Sequence, residues 1–293
     1  MRVPFRLVDV FAEAQFGGNQ LCVVPAVPDG LDDDTMQALA IEIGFSETTF
    51  VTAVRPTGYD VRIFTPESEL PFAGHPTLGT AFTLAREGAI GAETVQHCGA
   101  GDIPVRIDLE TGRATMRQLP PVVGPEVEDR SLVAAAAGLD ASDLVDGLPM
   151  VPISTGIPHL MVPVRDDDAL RRATRDERAC AQVCELVGDI EALYLFAIRG
   201  DGDVRARMFD RSATIGEDPA TGSAAGPLGS YLAMHGLAGM PGRVVIAQGE
   251  QIRRPSFLQV DVARDGDAWL VHVGGGVRPM GEGTFELDQL GSH

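Results

Sequence analysis

The chain has 293 residues, 44% of them hydrophobic and 22% charged, a balance ordinary for a folded protein and a length that favours about two domains. Its 42 Asp and Glu against 23 Lys and Arg give a formal net charge of −19, a field that repels nucleic acid and anionic membranes. No stretch approaches the roughly 18–20 unbroken apolar residues that span a bilayer, and residues 1–10 lack a hydrophobic signal core, so a cytoplasmic location is expected.

Apolar alternation predicts strands in the first half near 5–10, 20–25, 48–54, 60–64, 104–109 and 113–118, with helices over 33–43 and 76–87. Leu119-Pro120-Pro121 interrupts regular structure and is the expected boundary between domains 1–118 and 119–276. Beyond it, helices are expected over 131–137, 167–173, 176–186 and 223–235. Strands are expected near 150–155, 159–164, 193–198, 204–209, 243–247, 257–263 and 268–273. The glycines 274–276 precede a last strand, and the segment 277–289 is expected to return to the first half. The acidic runs 32–34 and 166–168 suit solvated helix starts, with a metal site there the lesser reading. Cys22, Cys98, Cys180 and Cys184 have no zinc-like spacing; no disulfide and no metal is expected.

The halves repeat one plan. Ala73-Gly74-His75-Pro76-Thr77-Leu78-Gly79 parallels Thr221-Gly222-Ser223-Ala224-Ala225-Gly226-Pro227, each a small-residue turn opening a helix. Val61-Arg62-Ile63-Phe64 parallels Ala206-Arg207-Met208-Phe209, and the strand after Gly18-Asn19 parallels the one after Gly156-Ile157. The implied fold class is α+β, each half a curved, largely antiparallel sheet around its central helix.

Helix starts offer unpaired N–H groups and a favourable dipole to an anion, and small residues let a ligand approach the backbone. Two such turns facing one cleft would grip a small carboxylate, with Gly74, Gly222, Thr221 and Ser223 as binding residues. For either turn alone, tight helix-to-sheet packing explains the small residues equally well. Polar residues gather there: His75 in one turn, Asp218 and Ser223 by the other. Asp218 is placed to cap its helix as well as to act. Glu47 opens an apolar strand, either as an exposed edge residue or as a buried carboxyl whose raised pKa suits proton transfer. No dinucleotide loop and no serine-hydrolase elbow is present, and no cofactor is expected.

Three segments carry a resemblance over almost the whole chain: Phe45-Ser46-Glu47-Thr48-Thr49-Phe50-Val51, Glu69-Leu70-Pro71-Phe72-Ala73-Gly74-His75-Pro76-Thr77, and the run from Glu217-Asp218-Pro219-Ala220-Thr221-Gly222-Ser223 to Leu228. The opening from Val8-Asp9-Val10-Phe11 to Gly17-Gly18-Asn19 matches too. In these the chain resembles the phenazine-biosynthesis-like (PhzF-like) isomerases, relatives of the diaminopimelate epimerase fold. The resemblance implies two pseudo-symmetric lobes, each a barrel-like sheet around a central helix, and a homodimer. It also implies a cofactor-independent isomerisation of a dihydro-hydroxyanthranilate-like carboxylate. Glu47 would then be the acid–base, with His75, Asp218 and Ser223 lining the same site. Asp210-Arg211-Ser212 departs from the proline-containing turn of many members, which leaves the substrate open. The related two-cysteine epimerases carry a thiol at each glycine turn, where this chain has Ala73 and Thr221. The competing readings are an epimerase or racemase using Glu47 with another base, and a non-catalytic small-molecule-binding protein.

Overall fold

In the computed structural model, residues 1–188, 190–199 and 203–288 are described, so residue 289 of the expected returning segment lies outside them. The chain divides into two compact units, Met1–Met116 with Gly275–His293, and Arg117–Gly274.

The first unit begins with β1 (Arg2–Val10), β2 (Asn19–Val24), α1 (Asp33–Ile43), β3 (Glu47–Arg55), β4 (Gly58–Phe64), β5 (Glu69–Leu70) and α2 (Gly74–Arg86). It continues through β6 (Glu93–Cys98) and β7 (Gly101–Asp108) into β8 (Arg113–Gln118). Neighbouring strands joined by turns pair antiparallel: β1 with β2, β3 with β4, β4 with β5, β6 with β7 and β7 with β8. Where a helix intervenes the pairing is parallel, β2 with β3 across α1 and β4 with β6 across α2, because only a crossover of that length can return a strand in the same direction.

The second unit holds β9 (Val122–Val123), α3 (Arg130–Ala136), β10 (Val151–Ser154), β11 (Pro158–Pro163), α4 (Asp167–Arg172), α5 (Glu177–Leu186), β12 (Ala192–Ile198), β13 (Val204–Asp210) and β14 (Glu217–Asp218). α6 (Gly222–Met234), β15 (Gly242–Gln248), β16 (Ser256–Asp265) and the part of β17 (Ala268–Glu286) up to Gly274 complete it, the rest of β17 belonging to the first unit. Its ladder repeats the first: β10/β11 antiparallel, β11/β12 parallel across α4 and α5, β12/β13 and β13/β14 antiparallel, β13/β15 parallel across α6. The protein is a mixed α+β fold.

Side chains repeat with the ladder. Arg62 grips Glu69 with Nε–Oε1 and Nη2–Oε2 bonds of 2.8 and 2.7 Å, and its guanidinium lies 5.0 Å from the Phe64 ring. Arg207 grips Glu217 through the same atoms at 2.8 and 2.6 Å and lies 4.8 Å from Phe209.

Residues 74–85 of α2 and 222–232 of α6 are buried without a polar face, the signature of a helix enclosed on all sides. Enclosure explains the small residues. A Cβ on Gly79 would sit 2.6 Å from Leu21 Cδ2 and 2.9 Å from Val10 Cγ2; one on Gly229 would sit 2.5 Å from Val260 Cγ1. A second apolar cluster in the second unit packs α3, α4 and α5 under β11 and β12, with Cys180 and Cys184 buried in it; all four cysteines are free.

The acidic runs are helix starts: Asp32 accepts from the Thr35 amide and Asp166 from the Ala169 amide. Two expectations fail. The glycines 274–276 do not precede a separate strand, because β17 runs unbroken through them, pairing with β16 up to Gly274 and with β1 from Val277. Strand β6 goes unpredicted because Gln96 and His97 break its apolar alternation; Gln96 is buried by bonding Tyr59 and Thr77.

Gly79→Val should lower the urea unfolding free energy by about 1–3 kcal/mol, the scale of overpacking an enclosed site. Gly88, at φ +75° with open space around it, should respond to Ala through backbone strain alone, by about 1 kcal/mol.

Asp210, the last residue of β13, gives a second test. Burial raises its carboxyl from 3.8 to about 7, assisted by the charges of Asp218 and Glu191 and opposed by the Ser212 amide at 2.7 Å. The folded state therefore holds a proton that the unfolded chain has released between pH 3.8 and 7, so stability from this group falls as pH rises through that window. Asp210→Asn should match the wild type near pH 4. At pH 8 it should be more stable by roughly 1–3 kcal/mol in denaturant titrations.

Candidate active site

Glu47 is the first residue of β3, and the parallel register sets it beside Leu21 of β2. His75, the second residue of α2, points Nε2 at Glu47 Oε2 across 3.3 Å; the two side chains are 4% and 13% exposed. Asn19 opens β2, and its Nδ2 lies 3.1 Å from His75 Nδ1, while its Oδ1 accepts from the Ser46 hydroxyl at 3.0 Å. Burial pushes His75 down to about 3, against a weaker upward pull from its backbone bond with Gln20. The imidazole is thus neutral at physiological pH, a donor on one nitrogen and an acceptor on the other.

The second unit carries a different set on the same scaffold. Asp218 closes β14 and is buried, its Oδ2 accepting the Thr221 hydroxyl at 2.6 Å. It holds the cap residue's side chain. Gln248 secures the turn: its Nε2 donates to the Asp218 carbonyl at 2.8 Å and meets Thr221 Oγ1 at 2.9 Å, while its Oε1 accepts from Tyr194 at 2.9 Å. Burial and the charge of Asp218 raise the Tyr194 phenol, which stays a donor. Ser223 Oγ lies 3.0 Å from His159 Nε2, and burial pushes that imidazole down to about 3. Gln118 Nε2 donates to the Gly222 carbonyl at 2.8 Å, and Thr155 fixes Gln118 Oε1 at 2.7 Å.

The helix starts differ from the others in the chain. Asp32, Asp129, Asp166 and Asp176 cap α1, α3, α4 and α5 with a carboxylate, whereas Ala73 and Thr221 give α2 and α6 no side-chain capping bond. The amides of Gly74 and Gly222 keep the electrostatic preference for an anion that a capping carboxylate would have answered.

Of the residues singled out in the sequence, Glu47 meets His75 in the first unit, beside Gly74; Asp218, Thr221, Gly222 and Ser223 cluster at the second helix start. Asn19, Ser46, His159 and Gln248 went unassigned, since a polar residue at a strand end carries no periodic signal. Neither turn holds a thiol, and among the described residues no group of three or more His, Cys, Asp or Glu could hold a metal ion. No helix among them is long and apolar enough to cross a membrane.

The family described as "Phenazine biosynthesis-like protein" matches residues 8–280. The chain is 35% identical over 295 residues to a trans-2,3-dihydro-3-hydroxyanthranilate isomerase of Pseudomonas chlororaphis, covering 96% of this chain and 98% of that one. It is 34% identical to an uncharacterized isomerase of Pasteurella multocida, over 96% and 93% of the two chains. Among solved structures, the Bacillus anthracis phenazine biosynthesis protein of the PhzF family superposes with a TM-score of 0.88 at 25% identity, covering 98% of this chain and all of that one. A buried carboxyl–imidazole pair, two uncapped helix starts and these likenesses agree: the chain belongs to the phenazine biosynthesis-like protein family and is an isomerase.

Proposed function

We propose that this chain isomerises a small conjugated carboxylate of the dihydro-hydroxyanthranilate type without a cofactor, using Glu47 as its acid–base. The observation that carries the reading is the buried Glu47–His75 pair at 3.3 Å in a chain 35% identical to an isomerase of that substrate. The reading also assigns the fold to the diaminopimelate-epimerase-like class, with one helix-start turn in each of two similar lobes.

In this mechanism the Glu47 carboxylate takes a proton from a C–H bond, and the released electron pair shifts along the conjugated system. The carboxyl then returns the proton at the far carbon. Protons and electrons balance within the substrate, so no redox partner enters. Neutral His75 serves as a donor toward Glu47 and stabilises its ionised form. Ser223 and the amides opening α6 hold the substrate carboxylate, and Asp218 orients a polar ring substituent. The uncapped starts of α2 and α6 support the anionic substrate class, because the protein's net charge of −19 gives such a ligand no long-range attraction.

Glu47→Gln keeps shape and polarity but cannot cycle a proton. With trans-2,3-dihydro-3-hydroxyanthranilate as substrate it should fold normally and lose turnover by about 100-fold or more. Asp218→Asn should lose less, and Ser223→Ala should raise KM more than it lowers kcat. In deuterium oxide the product should carry label at the carbon that receives the proton, unless the proton returns faster than it exchanges. Label at a retained stereocentre without a double-bond shift would favour the epimerase reading. Near-normal turnover by Glu47→Gln would remove Glu47 from the mechanism.

A further inference from the structure

The second unit holds a buried imidazole to which the proposed reaction gives no task. His159, the second residue of β11, is only 2% exposed. Alternation along the strand sends Leu160 and Val162 into the apolar cluster beneath β11 and β12, which turns His159 to the opposite face, toward the start of α6. Its ladder neighbours are Ile153 on β10 and Ala192 on β12, buried side chains with no polar atom. Nε2 of the ring lies 3.0 Å from Ser223 Oγ, while Nδ1 is buried and has no hydrogen-bond partner among the described residues. Ser223 is the second residue of α6, a 13-residue helix whose start has no side-chain cap. Among the described residues its hydroxyl bonds His159 alone.

The direction of that one bond decides what the turn offers a ligand. Burial pushes His159 down to about 3, so at physiological pH the ring carries a single proton. A proton on Nδ1 would be a buried donor without an acceptor, and Nε2 would take the hydroxyl proton of Ser223. Ser223 would then present only lone pairs, which suit an amine and repel a carboxylate. A proton on Nε2 reverses the bond. The ring donates to Ser223 Oγ, the unpaired group is a lone pair instead of an N–H, and the hydroxyl keeps its own proton for a ligand. Hydroxyl and helix-start amides then share one polarity, the one the helix dipole favours.

We propose that His159 is a positioning residue that donates from Nε2 to Ser223 Oγ, making Ser223 a donor at the start of α6 and selecting a carboxylate over an amine there. The binding role rests on the reading above in which Ser223 holds the substrate carboxylate, whereas the direction of the His159–Ser223 bond does not.

Nitrogen-15 NMR of the full chain labelled at histidine, assigned by the signal set missing from His159→Phe or His159→Gln, reads the bond direction. The wild type at pH 7 should show His159 protonated at Nε2 and bare at Nδ1. Calorimetry with 3-hydroxyanthranilate, an aromatic analogue that keeps the carboxylate but has no sp3 C–H to lose, reads the binding role. Ser223→Ala and His159→Phe should each weaken binding by about 10-fold, the scale of losing a hydrogen bond to a charged group. The double variant should lose the same factor of about 10 and not the product of about 100, because His159 acts only through Ser223. His159→Gln, whose amide can donate from the place of Nε2, should bind within about threefold of the wild type; it also covers the case in which His159→Phe fails to fold. A wild-type spectrum with the proton on Nδ1 would overturn the proposal. So would multiplied losses in the double variant, full affinity in folded His159→Phe, or a folded His159→Gln as weak as Ser223→Ala. If the wild type does not bind 3-hydroxyanthranilate, the carboxylate reading and the binding role fail together, while the bond direction still stands or falls on the spectra.

Discussion

Enclosure of α2 and α6 governs the chemistry. A helix buried on every side needs small residues where the strands pass closest: Gly79 and Gly229 have no room for a Cβ, while Phe82 and Tyr231 are accommodated elsewhere on the same helices. The same burial applies at the helix start. The four helices lying against their sheets begin with a capping aspartate, while the two enclosed ones begin with Ala73 and Thr221. A carboxylate at an enclosed helix start would lose much of its hydration and would also repel an anionic ligand. Small, uncharged cap residues leave the dipole and the first amides unanswered. The small linings and the uncapped starts have one cause.

Burial also sets the protonation states. His75 and His159 are both held neutral to about pH 3 by loss of water, yet the consequences differ with their partners. His75 faces the Glu47 carboxyl across 3.3 Å. His159 faces a hydroxyl, which can donate or accept. Asp210 is pushed the other way, to about 7, and among the described residues no arginine is bonded to its carboxylate as Arg207 is to that of Glu217. The second unit thus carries a carboxyl that titrates near neutrality beside β14, and its turn replaces the proline-containing turn expected from family resemblance.

Much of this was legible in the sequence because repetition magnifies weak signals. Neither Gly74-His75-Pro76 nor Gly222-Ser223-Ala224 alone distinguishes packing from function, but the pair, in register with Arg62 and Arg207, does mark two copies of one ladder. Strand β6 and the unbroken course of β17 were not legible. Gln96 is buried because it is hydrogen-bonded, which no hydropathy pattern records, and glycines within a long strand read as a break. Asn19 and His159 stayed hidden for the same reason: their importance lies in partners 56 and 64 residues away along the chain.

The repeat also bears on how many bases the reaction can use. The parallel ladders align Leu21 with Glu47 in one unit and His159 with Ala192 in the other, so the place of Glu47 is taken by an alanine in the second copy. The antiparallel ladders pair Ile63 with Leu70 and Met208 with Asp218, so the second copy's carboxylate occupies the place of a leucine. The helix starts themselves hold His75 and Ser223 at matching positions. A two-base racemase built by duplication would carry equivalent bases at equivalent places, as one thiol per glycine turn would do. Here duplication has kept the scaffold and separated the chemistry. One unit holds a carboxyl–imidazole pair suited to moving a proton, and the other a hydroxyl, an amide-rich turn and a carboxylate engaged by Thr221, suited to holding a polar substrate. That asymmetry supports the proposed single acid–base used twice over two bases used once each.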